Sequence, residues 1–135
     1  MQNQIEIIYE GDLRTKATHI SSQSQIITDA PIDNQGKGEK FSPTDLVAAA
    51  LGSCMLTIMG ITAKAQDIDI TGTKVKVEKI MGQNPRKIFQ INMELIFNRS
   101  ISDKHKTILE RAARHCPVAK TLGNNIEENI KFIYP

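Results

Sequence analysis

The chain has 135 residues, the usual size of one domain, and its net charge of +2 with 24% charged residues is ordinary for a globular protein. This composition argues against a nucleic-acid-binding protein, which concentrates basic residues on one face, and aromatic residues for stacking on bases make up only 4% of the chain. We therefore expect a single domain over residues 1–135 that binds no nucleic acid.

The N-terminal segment, MQNQIEIIYEGD, has no basic stretch followed by an apolar run. It does not have the pattern of a secretory signal peptide, so we expect a cytoplasmic protein. In a reducing compartment, two cysteines more often serve catalysis, redox chemistry or core packing than a permanent disulfide.

Three short stretches near the N-terminus alternate apolar and polar residues, which predicts three strands. They are QIEIIYE, LRTKATH and a QIIT run at residues 25–28. A Gly11-Asp12 turn separates the first two, so the pattern predicts a β-meander. The loop that follows, APIDNQGKGEK, is not a phosphate-binding loop because the Walker pattern is absent.

The stretch FSPTDLVAAALGSCMLTIMGITAKA predicts a long helix, from about Pro43 to about Gln66. Ser42 is the expected N-cap, and Asp45 lies in the first turn. Leu46 to Ala63 carry no formal charge, so the helix has no polar face over that run. Two interpretations fit: a helix buried on nearly all sides, or a membrane span.

Burial is the interpretation that the surrounding sequence favours. Amphipathic strands that need a shared core flank the helix, and small residues such as Ala48, Ala49, Gly52 and Gly60 allow other backbones to approach closely. A monomer of this size has difficulty covering a long helix on every side. We therefore predict an intimate homodimer that shares this helix, and no membrane contact.

The second half of the chain predicts an antiparallel hairpin, a helix and a closing strand. TKVKVEKIM and KIFQINMELIFN alternate apolar and polar residues around an Asn84-Pro85 turn. In the second of these stretches the alternation places five side chains on one face: Phe89, Ile91, Met93, Leu95 and Phe97.

Ser102 caps the predicted helix DKHKTILERAARHC, whose apolar stripe ends at Cys116. Pro117 interrupts that helix, Gly123 fits a C-terminal cap, and IEENIKFIY closes the chain as a strand. The whole order of elements predicts an α+β fold.

The two cysteines are the candidate chemical groups. Cys54 lies in the middle of the apolar helix and Cys116 on the stripe of the second helix, so both are expected to point inward. Free cysteine is often a small core residue, and that interpretation stays open. In the catalytic interpretation, one thiolate attacks the O–O bond of a peroxide to give a sulfenic acid, and the second thiol condenses with that sulfenic acid to form a disulfide.

A thiol must ionise before it attacks, and apolar burial opposes ionisation. Cys54 is far from the N-terminus of its helix, so the helix dipole helps little. Arg14 in the second strand is the cation we predict beside it, and a solvated strand arginine is the alternative. His19, His105 and His115 do not combine with the cysteines in a zinc-type spacing, so we expect no metal site.

The segments SPTDLVAAALGSC and, further along, HCPVAKTLG resemble the OsmC/Ohr family of thiol-dependent peroxidases, and the likeness covers nearly the whole chain. The resemblance implies an OsmC-like fold: antiparallel sheets wrapped around two long central helices in an interwoven homodimer, with active sites at the interface. It implies that Cys54 is the peroxidatic and Cys116 the resolving cysteine, that organic hydroperoxides are the substrates, and that a dihydrolipoyl-type dithiol can regenerate the thiols. No metal, flavin or other cofactor is implied.

The chain departs from the family pattern beside the helix start. In the Ohr and OsmC branches a glutamate follows the proline of the motif and holds the catalytic arginine. Thr44 occupies that position here, and the acid Asp45 comes one residue later, about 100° further around the helix. Asp45 is the candidate for the glutamate's role and Arg14 for the arginine's, which places the chain nearer the less-characterised OsmC-like branches.

Apolar residues near the thiols favour a hydroperoxide with an apolar tail over hydrogen peroxide; they are Leu51, Met55, Ile58 and Val118. We therefore predict a thiol peroxidase. The alternative is an OsmC-fold protein that binds a small apolar ligand between its helices, or senses redox state, without efficient peroxidase turnover.

Overall fold

A computed structural model describes all 135 residues. It contains two three-stranded sheets, three α-helices and two short 3₁₀ turns. The chain divides into two compact units, residues 1–46 and 47–135, and the long first helix crosses the boundary between them. The single domain over residues 1–135 stays a prediction.

The first unit contains the predicted β-meander. Its strands are β1 (Ile5–Gly11), β2 (Arg14–His19) and β3 (Gln25–Asp29), and they pair antiparallel in the order β1-β2-β3. The turn after β1 takes positive φ at Gly11, Asp12 and Leu13, and glycine tolerates that conformation best. Apolar side chains of β1 lie exposed on both faces of the strand; Ile5, Ile7, Ile8 and Tyr9 are each more than half exposed.

Helix α1 (Pro43–Ala65) begins and ends within one residue of the prediction. Ser42 Oγ accepts a hydrogen bond from the backbone N–H of Asp45 at 3.1 Å, and Asp45 Oδ2 accepts one from the N–H of Ser42 at 2.9 Å. This reciprocal capping box satisfies two backbone donors that the first turn otherwise leaves free. The local sequence therefore determines where α1 starts.

In the single chain, α1 is buried along one face only. The buried residues on that face are Ala48, Leu51, Gly52, Met55, Met59 and Ala63. On the other side Ile61 is 62% exposed, so the expected burial on nearly all sides is not reached within one chain. By length and composition α1 is also able to cross a membrane, and a third (33%) of its most apolar window is buried.

The second unit holds the predicted hairpin and a strand added in parallel. β4 (Lys74–Gly82) and β5 (Lys87–Ile96) pair antiparallel, and β6 (Glu127–Ile133) pairs parallel to β5. The sheet is therefore mixed, whereas the resemblance implied antiparallel sheets. A parallel partner requires a crossover, and the two helices between β5 and β6 provide it.

One predicted side-chain direction in β5 is wrong. Ile91, Met93, Leu95 and Phe97 are buried as expected, but Phe89 is 42% exposed while its neighbour Ile88 is buried. The register against β4 shifts between Ile80 and Met81, because a β-bulge inserts one extra residue there. A bulge reverses the alternation beyond it, which explains the exchange of the two side chains.

Helix α2 (Asp103–Arg114) starts at the predicted cap, since Ser102 Oγ accepts from the N–H of His105. It ends before Cys116, and a separate helix α3 (Pro117–Leu122) follows, closed by Gly123. Cys116 is thus the N-cap of α3 and not the last residue of the α2 stripe, although its side chain is buried as expected. Proline suits the first position of a helix, because a backbone N–H at that position would have no acceptor within the helix. Pro117 therefore starts α3.

The core of the second unit lies between α1, α2 and the inner face of the sheet. Its fully buried members include Leu51, Met55, Ile91, Leu95 and Leu109. Strand β4 crosses close to α1 at Gly52, where an added Cβ would lie 3.1 Å from the methyl groups of both Val75 and Val77. The small residue predicted to allow close backbone approach therefore does so against the sheet.

Candidate active site

The backbone around Pro117 places the thiol of Cys116 in the core. Cys116 has extended φ and ψ (−71° and 150°), and its Sγ accepts a hydrogen bond from the N–H of Ala119 at 3.4 Å. The residue has no exposed surface. The break between α2 and α3 thus turns a cysteine inward and gives its sulfur a backbone donor.

Cys54 approaches Cys116 from α1. Both cysteines are free, and Cys54 is half-buried against the same core that encloses Cys116. Cys54 lies close enough to Cys116 to raise the pKa of the Cys116 thiol, although the two residues are far apart in the sequence. The structure therefore brings together the two thiols that the sequence motifs singled out.

The surroundings of Cys116 hold its thiol in the protonated form. Burial raises the pKa of the Cys116 thiol, and the neighbouring Cys54 and the charge of Glu128 raise it further. The hydrogen bond from the N–H of Ala119 acts in the opposite direction but does not outweigh burial. Because the thiolate is the nucleophile, this environment lowers the reactivity of Cys116 in the resting protein.

Sequence reasoning missed Glu128 as a neighbour of the thiols. It lies on β6, half-buried, and burial raises the pKa of its carboxyl group. The signal was present in the strand IEENIKFIY, where Glu128 shares the alternation of Ile126, Ile130 and Phe132. A glutamate in the apolar register of a strand indicates a carboxylate directed toward the core.

Arg14, the predicted activating cation, is held by two carboxylates of its own unit. Its guanidinium forms ion pairs with Asp29 at 3.7 Å and with Glu39 at 3.2 Å. Asp29 is 1% exposed, and its Oδ2 also accepts a hydrogen bond from the N–H of Glu39. Arg14 belongs to the first unit and Cys54 to the second, so the action of Arg14 on the thiol stays a prediction.

Asp45, which was predicted to take part in catalysis, stabilises the start of α1. Its carboxylate and backbone form the capping box with Ser42 described above. Its place in the chemistry of the thiols stays a prediction. The acids that contact Arg14 are Asp29 and Glu39, which the sequence analysis did not single out.

The apolar residues expected around the thiols pack in the same core. Leu51 and Met55 are fully buried, while Ile58 and Val118 are partly buried against the cluster that includes Cys54. Ile58 lies one helical turn beyond Cys54 on α1, so the two share a face. An open groove of about 560 Å³ lies elsewhere, at the C-terminal end of α1, and neither thiol lines it.

No group of three or more histidine, cysteine, aspartate or glutamate side chains is arranged to hold a metal ion. His19 and His115 are exposed and His105 is half-exposed. The imidazole of His115 contacts the carbonyl oxygen of Arg111, one turn earlier on α2, and stays at the edge of the helix.

Known proteins share this fold. A structure from Psychrobacter arcticus 273-4, provisionally named an osmotic stress induced and detoxification response protein, is 46% identical, with a TM-score of 0.94 over 98% of this chain and 96% of that one. An organic hydroperoxide resistance protein OsmC from Legionella pneumophila is similar in fold, at 14% identity and a TM-score of 0.77 over 98% of this chain and 97% of that one.

An uncharacterized protein of Methanocaldococcus jannaschii is 34% identical over 101 residues, which cover 70% of this chain and 53% of that protein. The chain thus spans about half the length of this curated relative. Residues 36–131 match the family described as OsmC-like protein. That match includes α1, both cysteines and nearly all of the second unit, and the chain belongs to the OsmC-like protein family.

Proposed function

We propose that this chain is a cysteine-based thiol peroxidase that reduces organic hydroperoxides, with Cys54 as the peroxidatic and Cys116 as the resolving cysteine. Membership of the OsmC-like family supports a general peroxidase or redox role. The observation that carries the finer proposal is the pairing of a half-buried thiol on α1 with a fully buried thiol at the start of α3.

Oxidation consumes only the two thiols and one hydroperoxide. The Cys54 thiolate attacks the outer oxygen of the hydroperoxide, the O–O bond breaks, and the departing oxygen takes a proton and leaves as the alcohol. Cys54 is then a sulfenic acid. Cys116 attacks that sulfur, the S–O bond breaks, and hydroxide leaves with a proton as water, which produces a disulfide. A dithiol of the dihydrolipoyl type restores both thiols by exchange.

The order of the two thiols follows from their burial. Cys54 retains access to solvent, whereas Cys116 has none and its pKa is raised. Leu51, Met55, Ile58 and Val118 give the surroundings an apolar character that favours a hydroperoxide with an apolar tail. Arg14 is proposed as the cation that stabilises the attacking thiolate, with Asp45 as an auxiliary acid beside it.

A homodimer completes this proposal. The exposed side of α1, which includes Ile61, and the exposed apolar residues of β1 are surfaces that a second copy of the chain would cover. A stripe of small residues on α1, such as Gly60, leaves room for a close helix contact: apart from its chain neighbours and the nearby backbone of α1, no atom lies within 4 Å of a Cβ added at Gly60. We place the dimer in the cytoplasm, a reducing compartment in which free thiols persist.

The reduced protein treated with cumene hydroperoxide tests the proposal. We expect rapid loss of both thiols with no oxygen added to the mass of the protein. In Cys116→Ser, dimedone should trap a sulfenic acid at Cys54. A Cys54→Ser protein that consumes the hydroperoxide at the wild-type rate would refute the assignment, and oxidation without regeneration by a dithiol would favour a sensor or ligand-binding protein.

A further inference from the structure

Strand β6 directs one carboxylate toward the helices. Along this strand Glu127, Asn129 and Lys131 are exposed, while Glu128 is half-buried on the opposite face. In the register with β5, Glu128 lies beside Ile91, which has no exposed surface. Because side chains alternate along a strand, the carboxylate of Glu128 faces the same side as the core.

Helix α2 runs along β6 in the direction that leads to Glu128. Tyr134 donates a hydrogen bond to Glu110 at 2.7 Å, and one turn later the guanidinium carbon of Arg114 lies 5.3 Å from the ring centre of Phe132. Residues nearer the C-terminal end of α2 therefore lie beside residues nearer the N-terminal end of β6. The chain then reaches Cys116, whose thiol is influenced by the charge of Glu128.

The carboxylate of Glu128 makes no hydrogen bond or ion pair within this chain, and burial raises the pKa of its carboxyl group. A half-buried carboxylate without a partner costs free energy, which a glutamine or an apolar residue at this position would avoid. A half-buried carboxylate on the core side of a strand, near a reactive thiol, is a candidate for proton transfer.

The resolving step needs such a group. When Cys116 attacks the sulfenic acid of Cys54, the thiol of Cys116 must lose a proton and the departing hydroxide must gain one. Resting on the proposed function, we infer that Glu128 makes this transfer: through one water, its carboxylate accepts the proton of the Cys116 thiol as the S–S bond forms. The S–O bond breaks, and the protonated carboxyl returns a proton to the hydroxide, directly or through one water, so that water leaves. The step consumes no other reactant.

A purely electrostatic role for Glu128 predicts the opposite effect. A negative charge near Cys116 disfavours its thiolate, so removing the charge would favour the thiolate and speed disulfide formation. Removing a proton-transfer group slows the same step. The sign of the change in rate therefore separates the two roles.

The test measures the two oxidation steps separately in Glu128→Gln. Reduced protein is mixed with one equivalent of cumene hydroperoxide and quenched at intervals with dimedone, and the adduct at Cys54 and the disulfide are followed by mass. We expect disulfide formation to slow by at least about tenfold and the dimedone adduct to accumulate, since general acid–base catalysis contributes about 10²–10⁴-fold. The rate of the first oxidation of Cys54 should not change.

Glu127→Gln is the matched control, because it removes the same charge from the exposed face of the same strand. It should behave as the wild type, and Glu128→Asp, which keeps a carboxylate, should recover part of the rate. Disulfide formation in Glu128→Gln that is unchanged or faster overturns the inference while the proposed function stands. If Cys116→Ser yields no dimedone adduct at Cys54, the proposed function fails and the inference fails with it.

Discussion

The guanidinium of Arg14 lies 3.2 Å from the carboxylate of Glu39 and is also paired, at 3.7 Å, with the buried Asp29. Arg14 is therefore held in place and is not a freely solvated strand arginine. The Oδ1 of Asp29 is buried without a hydrogen-bond partner, while its Oδ2 contacts Arg14 and the N–H of Glu39. A guanidinium fixed in this way keeps a constant position for any group that approaches it.

We predict that Asp29→Asn destabilises the protein far more than Glu39→Gln. Asp29 is buried, and its contact with Arg14 is charge-assisted. Loss of its carboxylate should therefore lower the free energy of unfolding by about 1–3 kcal/mol. Glu39 is 54% exposed, and loss of an exposed ion pair costs less than about 1 kcal/mol. Urea denaturation of both variants measures the difference, and equal losses would show that Asp29 does not anchor Arg14.

The two cysteines should differ sharply in reactivity. Burial raises the pKa of the Cys116 thiol and no part of the residue is exposed, whereas Cys54 is partly accessible. We expect iodoacetamide at pH 7 to modify Cys54 first and Cys116 only at higher pH or in denaturant, as read by peptide mass mapping. Denatured protein, in which both thiols should react alike, is the control. Equal rates in the folded state would contradict the burial of Cys116.

Glu128 should make the protein less stable as the pH rises. Because the pKa of this carboxyl is raised above the usual value of 4.5, the folded state binds more protons than the unfolded state between the two values. The free energy of unfolding therefore falls as the pH rises through that window. Glu128→Gln should unfold at a higher temperature than the wild type at pH 7 but not at pH 4. Glu127→Gln should show no such gain.

The proposed dimer predicts a strong effect at Ile61. This residue lies 62% exposed on the face of α1 that we assign to the second copy. A buried charge without a partner is costly, so Ile61→Asp should convert the dimer into a monomer in size-exclusion chromatography with light scattering. Lys76→Asp changes an exposed residue of β4 and should leave the dimer intact. A protein that is already monomeric, or Ile61→Asp that stays dimeric, would contradict the assigned interface.

The elements governed by local signals were predicted from the sequence. The alternation of β4 and β5 and the capping residues of α1 and α2 act over a few neighbouring residues, and all four elements are confirmed. The parallel direction of β6 was not predicted, because it depends on how the crossover returns the chain. The exposure of Phe89 depends on a bulge against β4 and was missed for the same non-local reason.

The residues of the candidate site also differ in whether the sequence predicted them. Cys54 and Cys116 were found because each lies in a recognisable motif. Asp29, Glu39 and Glu128 were missed because their importance depends on pairing across strands or between a strand and a helix. Cys116 was expected on α2, but a proline after it permits either a kink or a new helix, and only the tertiary packing selects the second.

The parallel pairing of β5 with β6 has a consequence for the order of folding. Side chains that hydrogen bond across these strands, Asn92 and Asn129, are 37 positions apart. Contacts of such long sequence separation form slowly, because the loop between them must first be ordered. The β4–β5 hairpin joins residues that are close in the sequence, so we expect it to pair before β6 docks. Pulsed hydrogen exchange during refolding should therefore protect the amides of the hairpin no later than those of β6.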